Sequence, residues 1–177
     1  MRSLVFLGLL VMACLAGAVF GALHDQVSYT VGPEYFTVLK FQQFQIDPGL
    51  PIRLGVALVG ILASWWMGLV IGLPVFGLGL FIPNRRTYWR AGVTAIMIAM
   101  GTAAMAAIFG LGLAYATVTP DRAATWAEIF PLTEPVRFGR VALMHNASYL
   151  GGGVGLIIAL IFMGLTVQRA RKNDGGR

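Results

Sequence analysis

Four long apolar runs constrain this chain more than anything else in it. They cover residues 4–23, 54–82, 91–118 and 141–167. Each reaches the roughly 20 residues an α-helix needs to cross about 30 Å of hydrocarbon. The bilayer core offers no water to a free peptide group, so a run of that length must be helical to cross it. The expected fold is an all-α integral membrane domain: a four-transmembrane-helix bundle over residues 1–177, with loops at 24–53, 83–90 and 119–140 and a tail at 168–177. Composition agrees, since only 11% of the residues are charged, against about one quarter in a soluble domain.

An even number of spans places both termini on one side. With that side inside, Arg2, Arg85, Arg86, Arg90, Arg169, Arg171, Lys172 and Arg177 face the cytoplasm against Asp174 alone. Lys40, Arg53, Arg122, Arg137 and Arg140 face outward against six acids. The positive-inside rule therefore predicts cytoplasmic termini and periplasmic loops at 24–53 and 119–140. The pI of about 10.1 is then a mark of topology and gives no ground for a nucleic-acid partner. Arg2 with Ala16-Gly17-Ala18 has the look of a secretory cleavage pattern, and Val11-Met12-Ala13-Cys14 that of a lipoprotein box. The apolar character continues through Leu23, so span 1 is expected to be retained. Cys14, the single cysteine, rules out a disulfide within the chain and reads as a small buried packing residue.

Small residues recur along every span: Ala13, Gly17 and Gly21; Gly60, Ser64, Gly68 and Gly72; Ala95, Ala99, Ala103, Ala106 and Gly110; Ser148, Gly152, Gly155 and Ala159. Such stripes let helix backbones approach closely in lipid, where hydrophobicity supplies no drive between helices. Gly17, Gly21, Gly60, Gly68, Gly72, Gly152 and Gly155 are thus expected at seams, either within the bundle or against a foreign helix. Pro74 predicts an irregularity in span 2. Tyr88 and Trp89 read as headgroup anchors, and the basic tail as disordered chain beside anionic lipid.

In loop 24–53, Val27, Tyr29 and Val31 alternate with Ser28 and Thr30, a short strand-like pattern. Gly32-Pro33-Glu34 then reads as a helix start, and residues 35–44 as an aromatic helix on the membrane surface. Thr119-Pro120-Asp121 opens a second short helix carrying Trp126.

The chemistry concentrates on two histidines, the only ones in the chain. His24 lies three residues beyond Gly21, and His145 three before Ser148, so both extend small stripes and point into the bundle. Both fall at the same depth on the periplasmic face. With Asp25 or Glu34 they could bind a metal such as zinc, copper or iron, or supply an axial ligand to a haem or chlorophyll-type pigment. Equally, they could hydrogen-bond loop backbone and hold the outer cap in place, alongside Gln26, Tyr29, Pro33, Tyr35, Asn146 and Tyr149. No zinc-protease, paired-cysteine, phosphate-loop or nucleophile-elbow motif occurs. No charge is embedded mid-span, which argues against an ion-coupled transporter.

The phrases HDQVSYT, PEYFT and QF in the first loop, with MHNASYLGG at 144–152, resemble an uncharacterised family of small bacterial four-span membrane proteins. The resemblance implies the same four-span fold and a bacterial inner-membrane location, and it carries over no catalytic residue. Gly32 stands where that family's pattern has a serine cap. The expected function is non-enzymatic: an accessory or scaffold subunit that packs against other membrane subunits, or against itself, in a respiratory or photosynthetic type of complex. The competing expectation is an enzyme or cofactor protein acting through His24 and His145. A carrier of lipid or of a small molecule would need an apolar cavity between the helices.

Overall fold

The structure is a computed structural model that describes residues 2–175. It is helical throughout, with no strand among the described residues. Helix α1 runs Arg2–Val31, followed by a π-helix at Tyr35–Lys40 that passes into α2, Phe41–Gln43. Helices α3, Ile52–Ser64, and α4, Met67–Gly79, together form one membrane-length rod. Helix α5 spans Arg85–Thr117, the short α6 spans Pro120–Ala127, and α7 spans Pro135–Gly175. Four of these segments are long and apolar enough to cross a membrane.

The rods exceed the apolar runs that announced them. At 30 residues, α1 is about 45 Å long at about 1.5 Å per residue, longer than a hydrocarbon core of about 30 Å is thick. That overrun is where the sequence reading fails. Residues 27–31, which alternate like a strand, are the final turn of α1. The alternation instead records a helix whose Ser28 is buried while Val27 and Thr30 are exposed. The basic tail likewise continues α7 as far as Gly175.

The inward face of α1 carries Leu9 and Leu10 near its start and small or polar residues further along. On α1, Leu4, Leu7, Val11, Leu15, Val19, Leu23 and Val27 point outward, while Ala13, Gly21, Asp25 and Ser28 are buried. Small inward residues bring backbones together: a Cβ on Gly17 would stand 2.7 Å from the carbonyl oxygen of Ser64. Gly21 and Gly60 abut each other's backbone. Helix α1 thus seals against α3 and α4, and α5 seals against α7 through Gly110, Gly151 and Gly155. On α7 the seam residue is Gly151 rather than the expected Gly152, whose nearest neighbour would be Met67 Cε at 3.9 Å.

Span 2 is irregular at Trp65-Trp66 instead of at Pro74, which sits within α4. There the backbone tightens, with Gly68 and Leu69 N–H groups donating to the Trp65 and Trp66 carbonyls at 3.1 and 3.0 Å. Tyr88 departs from its expected role as an anchor. It is fully buried and donates its hydroxyl to the Phe76 carbonyl at 2.8 Å, satisfying a group near the C-terminal end of α4. Trp89 remains 40% exposed, as an anchor requires. Cys14 is half-buried, with Gly68 against its backbone nitrogen.

Candidate functional site at the histidine end of the bundle

Because α1 stays helical past Leu23, His24, Asp25 and Ser28 fall on its inward side at the point where α7 presents His145. His24 Nδ1 lies 3.1 Å from Asp25 Oδ1, and His145 Nε2 lies 3.7 Å from the same oxygen. Ser28 Oγ lies 3.0 Å from His145 Nε2 and donates to the Asp25 carbonyl at 3.3 Å. The two imidazoles meet edge to face with centroids 4.5 Å apart. One donor atom from each of His24, Asp25 and His145 can be chosen so that all three lie within 4.8 Å of one another. Their side chains are only 5–8% exposed.

Burying a carboxylate and two imidazoles is costly unless each finds a partner. Asp25 is shared between both rings, and His145 has Ser28. One atom is left over: His24 Nε2 is buried and has no hydrogen-bond partner. The Nδ1–Asp25 contact fixes the ring, and Nε2 is then free to meet something else.

A half-enclosed pocket begins here. His24, Asp25, His145, Tyr149 and Lys40 line one end, and its apolar walls descend past Met67 and Ala99 to Val75 and Phe76. Its volume is about 100 Å³. The cavity lies between the two sealed pairs, α1 with α3–α4 and α5 with α7, where small side chains leave the gap incompletely filled.

The segment after α1 folds over this end. Tyr35 and Phe36 are buried, with ring centroids 4.7 and 6.1 Å from that of His145. Burial raises the Tyr35 phenol above its ordinary pKa, and the charges of Tyr149 and Asp25 add to the effect, so it stays protonated. Burial draws the Lys40 ammonium below its ordinary value, while Asp25 pulls the other way. Lys40 donates to Gln43 Oε1 at 2.9 Å and lies over the Tyr35 ring.

Glu34 does not belong to the metal-ligating set predicted from sequence. Its carboxylate accepts from the Thr133 and Glu134 N–H groups at 3.0 and 2.9 Å and from the Thr133 hydroxyl, at the N-terminal end of α7. Partial burial acts to raise its pKa. The hydrogen bonds from Thr133 and Glu134 outweigh that and, with the charge of Arg137, hold the carboxyl below its ordinary 4.5. An anion at a helix N-terminus also meets the positive end of the dipole. Arg137 completes the clamp, donating to the Val31 and Thr30 carbonyls at 2.7 and 3.2 Å and pairing with Glu134.

The expected cap residues divide. Gln26 ties α1 to Arg53 through three hydrogen bonds of 2.8, 2.9 and 3.3 Å, and Tyr29 packs on Phe36 and under the Arg53 guanidinium. The Pro33 carbonyl receives the Phe36 and Thr37 N–H groups. Tyr149 forms cavity wall while 46% exposed. Asn146 leaves the cap altogether and lines an exposed groove between α5 and α7. Sequence reasoning missed Ser28 and Lys40. Had α1 been continued past residue 23, the spacing of four between His24 and Ser28 would have placed Ser28 on the same face. Comparison with family models, curated proteins and solved structures gives no match.

Proposed function

We propose that this chain is a multi-pass protein of a bacterial inner membrane that holds a divalent transition-metal ion through His24, Asp25 and His145. The carrying observation is the convergence of those three donor atoms within 4.8 Å in a buried site. Tetrahedral ligands at about 2.0–2.2 Å from an ion stand roughly 3.3–3.6 Å apart. Asp25 already lies 3.1 and 3.7 Å from the two imidazoles, so the remaining adjustment is for the two rings to draw together. Two imidazoles with one carboxylate suit zinc, copper or iron. Three protein ligands leave a further position open, and it would face the cavity. At about 100 Å³ that cavity favours an ion over a haem or chlorophyll, since even drug-sized ligands occupy roughly 300–1,000 Å³. The charge asymmetry of the loops supports a periplasmic setting for the site.

The test is gentle extraction, followed by loading with Zn(II), Cu(II) or Fe(II) and metal analysis. About one ion per chain is expected, lost in His24→Ala, Asp25→Asn and His145→Ala. Background metal under all loadings, or full retention in the doubly substituted His24→Ala, His145→Ala protein, would refute the assignment.

A second reading, an accessory subunit beside partner helices, draws support from a different surface. A groove of about 530 Å³ between α5 and α7 contains Gly101 and the exposed Asn146. A Cβ added at Gly101 would meet nothing within 4 Å. The glycines of the other stripes are largely used inside the chain, so this groove is where a partner helix would fit. Co-purification that is abolished by Gly101→Leu would favour it. A monodisperse monomer in mild detergent would count against it.

A further inference from the structure

We infer that the pocket at the histidine end, once the ion is in place, binds a small monovalent oxyanion of carboxylate shape between the ion's open position and the Lys40 ammonium. The inference rests on the metal reading and adds the ligand that completes the site. The pocket holds about 100 Å³, against the ~150 Å³ of a cavity that takes one six-carbon benzene ring. In proportion it has room for about four non-hydrogen atoms, the size of acetate or hydrogencarbonate.

The wall specifies the chemistry. The hydroxyls of Ser64, Ser148 and Tyr149 line the pocket and make no hydrogen bond among the described residues. Lys40 gives one N–H to Gln43, and an ammonium has two more to offer. His24 lines the pocket as well, its side chain is 8% exposed, and its Nε2 has no partner. With Nδ1 committed to the ion, the neutral ring carries its proton on Nε2 and donates from there. The one carboxylate in the wall, Asp25, is already shared by the two imidazoles. A wall rich in donors and short of free acceptors calls for a ligand made of acceptors.

Charge gives the same answer. Among the described residues lining the pocket, Asp25 and Lys40 are the only charged groups besides the histidines, and they offset each other. A divalent ion adds two positive charges where burial makes charge costly, and a monovalent anion cancels one of them. Without the ion the same anion would leave a net negative charge, so its binding is coupled to the metal.

The π-helix at Tyr35–Lys40 accounts for the position of Lys40. Its looser winding shows in the Phe41 N–H, which donates to the Phe36 carbonyl five residues back. Residues five apart on an α-helix stand about 140° apart around the axis. Here Lys40 Nζ returns to 5.4 Å from the Tyr35 ring centroid, and that ring packs 4.7 Å from His145. A π-turn is rare and frequent at functional sites; this one carries the ammonium to the end of the pocket where the imidazoles lie.

The experiment loads the full chain in mild detergent with Co(II), whose visible bands report its ligands, removes excess metal, and titrates with acetate or hydrogencarbonate. A saturable change in the bands is expected with both anions, while metal analysis still finds about one Co(II) per chain. Hydrogencarbonate should bind more tightly, because its third oxygen meets a hydroxyl where acetate has a methyl group. Neutral acetamide, and benzoate, whose ring alone needs ~150 Å³, should leave the bands unchanged. Lys40→Met should weaken both anions about tenfold or more with Co(II) content intact. Lys172→Met, near the far end of α7, should change nothing. Bound Co(II) that is indifferent to both anions, an equal response to benzoate, or unchanged affinity in Lys40→Met overturns the inference and leaves the metal reading standing. Failure to hold Co(II) at all overturns both. Tighter binding of acetate than of hydrogencarbonate overturns the role given to the hydroxyls. If Lys40→Met fails to fold, the selectivity of the wild-type protein against acetamide and benzoate decides.

Discussion

Gly21→Ala adds one methyl where α1 touches α3, and the structure gives both the sign and the size of its effect. The new Cβ would lie 2.7 Å from Ser64 Cβ and closer still to the Gly60 carbonyl oxygen, a backbone atom that cannot turn aside. Overpacking of this kind costs about 1–3 kcal/mol. Against it stands a helix-propensity gain of about 1 kcal/mol at most, reduced because membrane helices remain largely formed when their packing is lost. Net destabilisation of about 1–2 kcal/mol should lower Tm by roughly 2–8 °C for a chain of this size. Gly101→Ala is the matched control, since its Cβ enters open space and should leave Tm unchanged or slightly higher. Both variants and wild type would be heated in one detergent, following tryptophan fluorescence. A Gly21→Ala protein as stable as wild type, or equal losses in both variants, would refute the close α1–α3 approach that brings His24 to the site.

Tyr88→Phe removes the buried donor to the Phe76 carbonyl and should cost about 1–3 kcal/mol, measured in the same thermal assay; no change would mean that carbonyl has another partner. Ser28→Ala strips His145 Nε2 of its nearest partner and should destabilise the metal-free protein by a similar 1–3 kcal/mol. With metal bound His145 is engaged by the ion, so the loss should shrink on loading; equal losses in both forms would argue against His145 as a ligand. Glu34 has a folded pKa below 4.5, so its contribution is complete above that value and is lost as pH falls through the lower folded value. Wild type should therefore lose Tm more steeply than Glu34→Gln over that acid window, and parallel curves would remove the clamp from the account.

Much of the architecture was legible because lipid imposes a simple rule. Four runs of sufficient length predicted four spanning segments, and Thr119 opens α6 with its side chain at the Arg122 N–H, as the start signal suggested. Gly17 and Gly21 of α1 and Gly60 of α3 lie where these two helices meet. Hydropathy marks where a helix can lie in hydrocarbon, however, and says little about how far it continues. Helices α1 and α7 accordingly run past the apolar runs, to Val31 and from Pro135, and Ser28 lies on helix where alternation alone suggests a strand. Tyr88 was misread for a related reason: an aromatic near a span end looks the same whether it faces headgroups or the neighbouring helix.

Sequence alone determined the helical class, the number of candidate spans and the pairing of His24 with His145 as the polar focus, because length, hydropathy and four-residue spacing are local properties. Only tertiary structure decided which acid joins them. Asp25 and Glu34 were equivalent on paper, but the turn of α1 aims Asp25 at both rings, while Glu34 is drawn to the free N–H groups at the start of α7. The cavity is tertiary in the same sense. It is the space left where two close-packed helix pairs meet through small side chains, and no single helix carries its outline.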